Sequence, residues 1–359
     1  MLIRSVGEDA YFAASNSAGG FYSHYTACFD DARIGHLYAI KGGPGTGKSR
    51  FLRDVAEYGV GIGWRCEYIY CSSDPNSLDG VILSRRDRAI ALLDATAPHV
   101  YEPTRPGARE DLVNLGIFWD SERLESESAR IGRLQEQKSA AYRRAYRYLR
   151  AAGEARQAHD ELLRPYIRQG QIAACAARLL ADECGVGYSE QVALMWSVGM
   201  RGHVGFDSYF RQASEIVLVE DCRSTAQYLM AALRREAEVR GLSVRVSYDP
   251  VLPDRIDALF LCESRRLFTT CPRRFCEYPH QILYTRRFID LVGMRSARTE
   301  ATAAKRLARS AMTGAVRALS EVKEAHFELE SIYSAAMNFA AKENFTKIFC
   351  RELFDLQNR

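Results

Sequence analysis

No apolar run in the chain is long enough to cross a bilayer, and Arg4, Glu8 and Asp9 stand where a secretory leader would be apolar. Both features point to a cytoplasmic protein without membrane contact. An excess of charge of one sign is lacking too: 49 Lys and Arg against 45 Asp and Glu leave a formal +4 over 359 residues. So small an imbalance gives nucleic acid or a membrane surface no bulk electrostatic hold. A disulfide framework belongs to small secreted chains, and the 10 cysteines here sit mostly singly in apolar runs, Cys66 and Cys71 in "WRCEYIYC" and Cys262 in "ALFLCE". That is where free thiols pack as small hydrophobes. The one pair at suggestive spacing, Cys271 and Cys276 in "CPRRFC" with His280 nearby, lacks the second pair that a zinc site usually needs. What remains is an ordinary globular composition, 47% hydrophobic and 26% charged, on a chain long enough for two domains or one duplicated unit.

The stretch that carries chemistry is "HLYAIKGGPGTGKSRFLRDVAEYG". It holds the full phosphate-loop pattern, Gly42, four residues, then Gly47, Lys48 and Ser49. An apolar strand, His36 to Ile40, precedes the loop, and a helix from Lys48 puts Phe51, Leu52, Val55 and Ala56 on one face. Gly42, Gly43, Gly45 and Gly47 are expected to take positive φ and aim successive N–H groups into one concavity, with Pro44, Thr46 and Arg50 completing the binding segment. The helix N-terminus adds partial positive charge. Lys48 would neutralise the β and γ phosphates, and the Ser49 hydroxyl would ligate Mg²⁺. A carboxylate at the end of a neighbouring strand completes such a site. Asp94, ending the strand Ile90 to Leu93, is the expected metal acid, the alternative being a turn-initiating Asp. Asp74 follows the strand Tyr68 to Cys71 and is read either as the group that positions an attacking water or acceptor hydroxyl, or as Asp-Pro turn chemistry. Asp79, just before Val81 to Leu83, reads as structural. Arg85, Arg86 and Arg88 read as a solvated turn that has charge-stabilising residue types.

From about Ser121 to Cys184 glycine and proline almost vanish, and Tyr142, Ala145, Tyr146 and Leu149 recur at helical spacing opposite Arg143, Arg147 and Arg150. This predicts an antiparallel helical hairpin with a solvated basic face. Then the pattern begins again. "GFYSHY" at Gly20 is matched by "GFDSYF" at Gly205, "HLYAIK" by "EIVLVE", "LDGVIL" by "IDALFL", and "YLRAAGEARQAHDEL" by "ALSEVKEAHFELESI". Asp74 falls opposite Asp249. The fold expected is therefore α/β, a three-layer α/β/α unit with a mostly parallel sheet, duplicated, each copy carrying a helical extension. The boundaries read 1–120 and 201–292 for the α/β domains, 121–200 and 293–359 for the extensions. In the second copy "GGPGTGKS" aligns with "DCRSTAQY", so Gln227 stands near the Lys48 position and Thr269 near that of Asp94. With both phosphate lysine and metal carboxylate gone, Asp221 to Gln227 is expected to hold no nucleotide, and Ser224 or Thr225 to cap the following helix.

The segments "KGGPGTGKS", "CSSDPNSLDGVIL", "ATAPHVYEPTRPGAREDLVNLGIFWD" and "AYRYLRAA" resemble a family of bacterial proteins built as tandem P-loop ATPases. The resemblance covers nearly the whole chain and is closest from Ile40 to Asp120. It implies ATP, rather than GTP, bound through Gly42 to Ser49. The family often keeps a second "GxPGTGKS" loop, from which this chain departs at Asp221 to Gln227. It supplies no established substrate, and it assigns no role to the "TAPH" segment with His99. Three functions fit: an ATPase whose cycle moves the halves, a kinase for a small molecule or nucleotide with the helices as lid, and a nucleotide-gated module for a protein partner.

Overall fold

The computed structural model describes residues 1–4, 9–29, 32–97 and 101–357. His99 lies outside the described residues. The first half runs β1 (Leu2–Ile3), β2 (Asp9–Phe12), the hairpin β3 (Ala14–Ser17) and β4 (Gly20–Ser23), and the short helix α1 (Tyr25–Phe29). Next come β5 (His36–Lys41), α2 (Lys48–Gly61), β6 (Arg65–Tyr70), β7 (Leu78–Arg85), β8 (Arg88–Asp94) and β9 (Glu110–Asn114). Three helices close it: α3 (Ser121–Ser126), α4 (Ser128–Leu163) and α5 (Gln169–Leu179). The second half repeats this order with β10 (Ser189–Val192), the hairpin β11 (Trp196–Gly199) and β12 (Gly202–Phe206), and α6 (Ser208–Gln212). It continues through β13 (Glu215–Glu220), α7 (Thr225–Val239), β14 (Ser243–Tyr248), β15 (Ile256–Leu261), β16 (Arg266–Thr269) and β17 (Gln281–Tyr284). It ends in α8 (Arg298–Ala335) and α9 (Phe339–Gln357).

The protein is a mixed α/β fold with mostly parallel sheets. Two six-stranded sheets have orders β2-β6-β7-β8-β5-β9 and β10-β14-β15-β16-β13-β17. Position for position, each has the same three parallel and two antiparallel neighbours, with β7 and β15 as the reversed strands. Because β10 is an edge strand of the second sheet, that sheet starts ahead of the boundary expected at residue 201.

The strands alternate two buried faces, as period-two side chains must. On one face of the first sheet Tyr38, Ile40, Val81, Leu83 and Leu92 pack with Phe51, Leu52 and Val55 of α2. On the other, Leu37, Ala39, Ile82 and Leu93 share a single core with Ile216, Leu218, Ala258 and Phe260 of the second sheet. Among the described residues, helical cover on this shared face comes from the short α1 and α6, through Phe29, Tyr209 and Phe210. The expected three-layer sandwich is thus replaced, on that side, by a core common to both sheets. Cys271 and Cys276 are buried in it, and Cys262 is exposed rather than packed.

The helical extensions do not fold back as hairpins. Instead α4 lies antiparallel against α8: Ile131 and Leu134 meet Leu329 and Ile332 at one end, and Leu163 meets Ala301 at the other. Ala145 and Leu149 face Ala315 and Leu319 in the middle. Alanine at the contact positions lets the helix axes approach closely. Arg130 pairs with Glu328 across the seam at 2.6 Å. Arg143 is held by Glu136 at 2.6 Å, and Arg147 and Arg150 are exposed, so the basic face is solvated.

Each half's last helix then covers the other half's sheet. Phe345, Phe349, Leu353 and Phe354 of α9 pack on α2 and the first sheet, with Phe354 stacked on Tyr58 and edge-on to Trp64. Ile172, Cys175 and Ala176 of α5 pack against Leu229, Met230 and Leu233 of α7. Matching backbone bridges fix the two crossings, Trp119 to Met337 and Ile167 to Ile289.

Removing the Phe354 ring tests the crossing. Phe354→Ala should cost about 3–5 kcal/mol of stability. In native-state hydrogen exchange the loss should appear first in the amides of α2, with α7 still protected. Loosening of α7 ahead of α2 would contradict the crossover.

Candidate functional site

The loop Gly42–Ser49 leaves the carboxyl end of β5 and turns into α2, at the crevice where open α/β sheets gather their ligands. Gly45 (φ 69°) and Gly47 (φ 77°) take the left-handed conformation, but Gly42 and Gly43 do not. Those two are glycine for room. A Cβ on Gly42 would sit 2.8 Å from Thr46 Oγ1, and one on Gly43 would sit 3.0 Å from the Tyr333 ring. Gly47 occupies the cap position of α2 without a side chain to satisfy the first-turn amides, which leaves them for an anion. Thr46 is buried and its hydroxyl donates to the Gly43 carbonyl at 2.9 Å, bracing the loop. Pro44 and Gly45 line the adjoining cavity.

Lys48 Nζ donates to the carbonyls of Gly42 and Gly43 at 2.9 and 2.8 Å and lies 3.6 Å from Asp94 Oδ2. The other Asp94 oxygen accepts from the Thr96 amide at 2.9 Å. Ser49 Oγ accepts from the Leu78 amide at 2.9 Å, which ties the start of α2 to β7. Arg50 does not join the loop: its side chain is 70% exposed and pairs with Asp54 at 2.7 Å, one helical turn away.

Asp79 is not merely a turn residue. Gly80 pairs with Leu93, so the register sets Asp79 opposite Asp94 on neighbouring strands, and Asp79 is buried. Burial raises the Asp94 carboxyl, Lys48 opposes the rise and Asp79 adds to it. Asp74 stands in the loop after β6, accepts from the Asn76 amide at 3.2 Å and lies 3.7 Å from Arg201 Nε. Arg85 and Arg88 pair at the far end of the β7–β8 hairpin, away from the carboxylates.

A cavity of about 810 Å³ joins Lys48, Ser49, Asp74, Asp79 and Asp94. Its roof comes from both long helices. Lys138 of α4 enters it, with burial lowering its ammonium. From α8 come His326 and Glu330, 3.5 Å apart. Burial pushes the imidazole down to about 4 and raises the Glu330 carboxyl, which Asp74 raises further. Ser334 Oγ donates to the Gly45 carbonyl at 3.0 Å, and the buried Lys342 of α9 backs Gly47. Beyond Asp74 the wall turns aromatic: Tyr142 bonds Ser73 at 3.0 Å and Tyr146 donates to Asn16 at 2.8 Å. Sequence reasoning missed Lys138, His326 and Glu330. The helical spacing of His326 and Glu330 was there to be read, but not the helix pairing that carries them to the loop.

The donor set suits a magnesium–phosphate complex. Among the described residues no group of three or more His, Cys, Asp or Glu makes a metal cage. Magnesium on a nucleotide asks for less, one or two carboxylates and a hydroxyl beside the phosphates. Asp94, Asp79 and Ser49 are residues of that kind at the mouth of the loop.

The second turn is built differently. Asp221 fills it with its own carboxylate, which accepts from the Ser224 amide at 3.1 Å and the Ala226 amide at 3.0 Å. Ser224 sits at the cap of α7 but makes no side-chain cap, and the Thr225 hydroxyl donates to the Cys222 carbonyl at 2.6 Å. The cap expected from Ser224 or Thr225 is therefore supplied by Asp221, because a carboxylate outcompetes a hydroxyl for these amides. Ala258 pairs with Thr269 as Gly80 pairs with Leu93, so Thr270, one residue on, holds the Asp94 position.

Among the described residues no helix is long and apolar enough to cross a membrane. Comparisons of the chain with protein-family models, curated proteins and solved structures found no match.

Proposed function

We propose that the chain is a P-loop ATPase that binds ATP with Mg²⁺ at Gly42–Ser49 and hydrolyses it there, and that the second half is a degenerate copy of the first. The observation that carries this reading is the meeting of uncapped α2 amides, Lys48 and a half-buried Asp94 at one end of a parallel strand pair. The matching order of the two sheets supports the duplication. The carboxylate of Asp221 in the second turn supports a single nucleotide site.

The amides from Gly45 onward would bind the phosphates, which take the place of the Gly42 and Gly43 carbonyls as partners of Lys48. Ser49 and Asp94, with Asp79 behind, are the residues that would hold Mg²⁺, whose charge would stabilise the transferred phosphoryl group. Asp74 faces that group from the loop after β6 and would orient the attacking water. Lys138 brings a desolvated cation from the opposite side.

A kinase reading has one observation in its favour. The cavity continues past Asp74 to Tyr142 and Tyr146, leaving room beside the phosphates for a small-molecule acceptor. Release of phosphate by the purified protein alone supports hydrolysis. Turnover that begins only on adding a metabolite extract supports transfer.

Lys48→Ala should weaken ATP binding roughly 10- to 100-fold, the worth of a charge-assisted contact. ATP affinity equal to wild type would overturn the assignment of the loop. Asp94→Asn should raise the Mg²⁺ concentration needed for half-maximal turnover, and Asp79→Asn should do so to a smaller degree. Lys138→Met should leave ATP affinity in place and lower kcat about 100-fold. An unchanged kcat would remove Lys138 from the chemistry.

A further inference from the structure

A second cavity, about 640 Å³, lies between the Asp221–Gln227 turn, the last turns of α4 and the first turns of α8. It is the counterpart of the first, since the same two helices cross both, but its polar groups are spent differently. Asp221 occupies the turn amides, so no phosphate enters there. Asp249, the counterpart of Asp74, is clasped by Arg156 through bonds of 2.9 and 2.6 Å, which brings its carboxyl down to about 2 in spite of burial. Asp160 is paired with Arg255.

Two buried groups on the wall each keep one polar atom open among the described residues. Asp257, counterpart of Asp79, is 7% exposed and its Oδ1 has no hydrogen-bond partner. Burial, with Asp249 close by, pushes its carboxyl up to about 7. His159 is 5% exposed; its Nδ1 is engaged by Asp160 and Ser224, and its Nε2 has no partner. Gln227, near the Lys48 position, lines the same wall beside Asp160, whose carboxyl its side chain helps to lower. Buried polar atoms without partners are costly, and folded proteins hold few. Two of them on one cavity wall, with the Gln227 amide beside them, amount to a recognition surface. At the rim Lys305 and Arg309, one turn apart on α8, are exposed and make no ion pair among the described residues.

From this arrangement we propose that the second cavity binds a small phosphate monoester. Its uncharged polar head enters toward Asp257, His159 and Gln227, and its phosphate stays at Lys305 and Arg309. The volume is that of ordinary small-molecule sites. The head must offer both donors and acceptors, which a nucleobase edge and a sugar's hydroxyls both do. Two cations at the rim suit a dianion that the filled turn denies a deeper seat. This inference stands apart from ATP hydrolysis in the first cavity.

Calorimetric titration of full-length Lys48→Ala protein tests it with the first loop disabled, using GMP, ribose 5-phosphate and inorganic phosphate. One of the two esters should bind at one per chain, at the affinity shown by wild type. GMP binding identifies a nucleotide site and ribose 5-phosphate a sugar-phosphate site. The double variant Lys305→Glu/Arg309→Glu, exposed and harmless to folding, should weaken that ester at least about tenfold, and Asp257→Asn should do likewise. The proposal fails if neither ester binds or if binding is unchanged in both variants. It fails equally if inorganic phosphate binds as tightly as the esters, or if binding seen in wild type vanishes in Lys48→Ala.

Discussion

The antiparallel contact between α4 and α8 is the interaction on which the rest of the structure depends. It is long, built on small residues at its centre, and sealed at each end by larger ones, Ile131 with Ile332 and Leu163 with Met294 and Ala301. Everything beyond it is a consequence of where the two helices end. Because α4 delivers α5 to the second sheet and α8 delivers α9 to the first, neither sheet finishes its core from its own half. The hydrophobic face of α2 is covered by a segment from the other end of the chain. A chain of this kind gains its cores together, and the helix pair is the element that must form for either to close.

The same contact explains why two cavities of similar shape differ in chemistry. Each is roofed by α4 and α8, and each opens beside a strand–turn–helix unit of the same construction. Beside the loss of the lysine and of the Asp94 carboxylate from the second half, the difference lies in the residue that opens each turn. Gly42 leaves the helix amides bare, and Lys48 is left holding backbone carbonyls. Asp221 satisfies the corresponding amides internally. An internal carboxylate has no translational entropy to lose, so it holds that place against a phosphate from solution. With the turn closed, the acids around it are turned to other uses: Asp249 is locked to Arg156, and Asp257, though Ser247 and Arg156 oppose the change, is a carboxyl that burial has driven toward neutrality.

Much of this was legible in the residues themselves. Strand, loop and helix from His36 to Gly61 follow from apolar alternation and glycine spacing, and two of the repeated segments fall on strands at the same places in the two sheets, β5 with β13 and β7 with β15. What could not be read was set by contacts distant in sequence. A hairpin of α4 and α5 was the natural reading of two helices in succession, and nothing in their periodicity names α8 as the partner. Asp79 looked like a turn residue because its neighbours are Ser, Leu and Gly. Only the register of β7 against β8 brings it opposite Asp94. Arg50 followed the loop motif into the expected site, but a helix puts Asp54 one turn away, and the nearer carboxylate took it. Gly42 and Gly43 looked like conformational necessities, yet it is the close approach of Thr46 and Tyr333 that forbids a side chain there.

The arrangement has a mechanical consequence. Glu330 and Ser334 touch the Gly45 region at one end of α8, while Lys305 and Arg309 rim the second cavity nearer its start. On α4, Lys138 and Tyr142 line the first cavity and Arg156 and His159 the second. A packed helix pair does not bend within a few turns without breaking its seam; it slides or tilts as a body. The walls of the two cavities are therefore parts of one packed body. The two cavities thus have one roof: Lys138 and Glu330 reach the first from the same helices whose other ends bring His159 and Arg309 to the second.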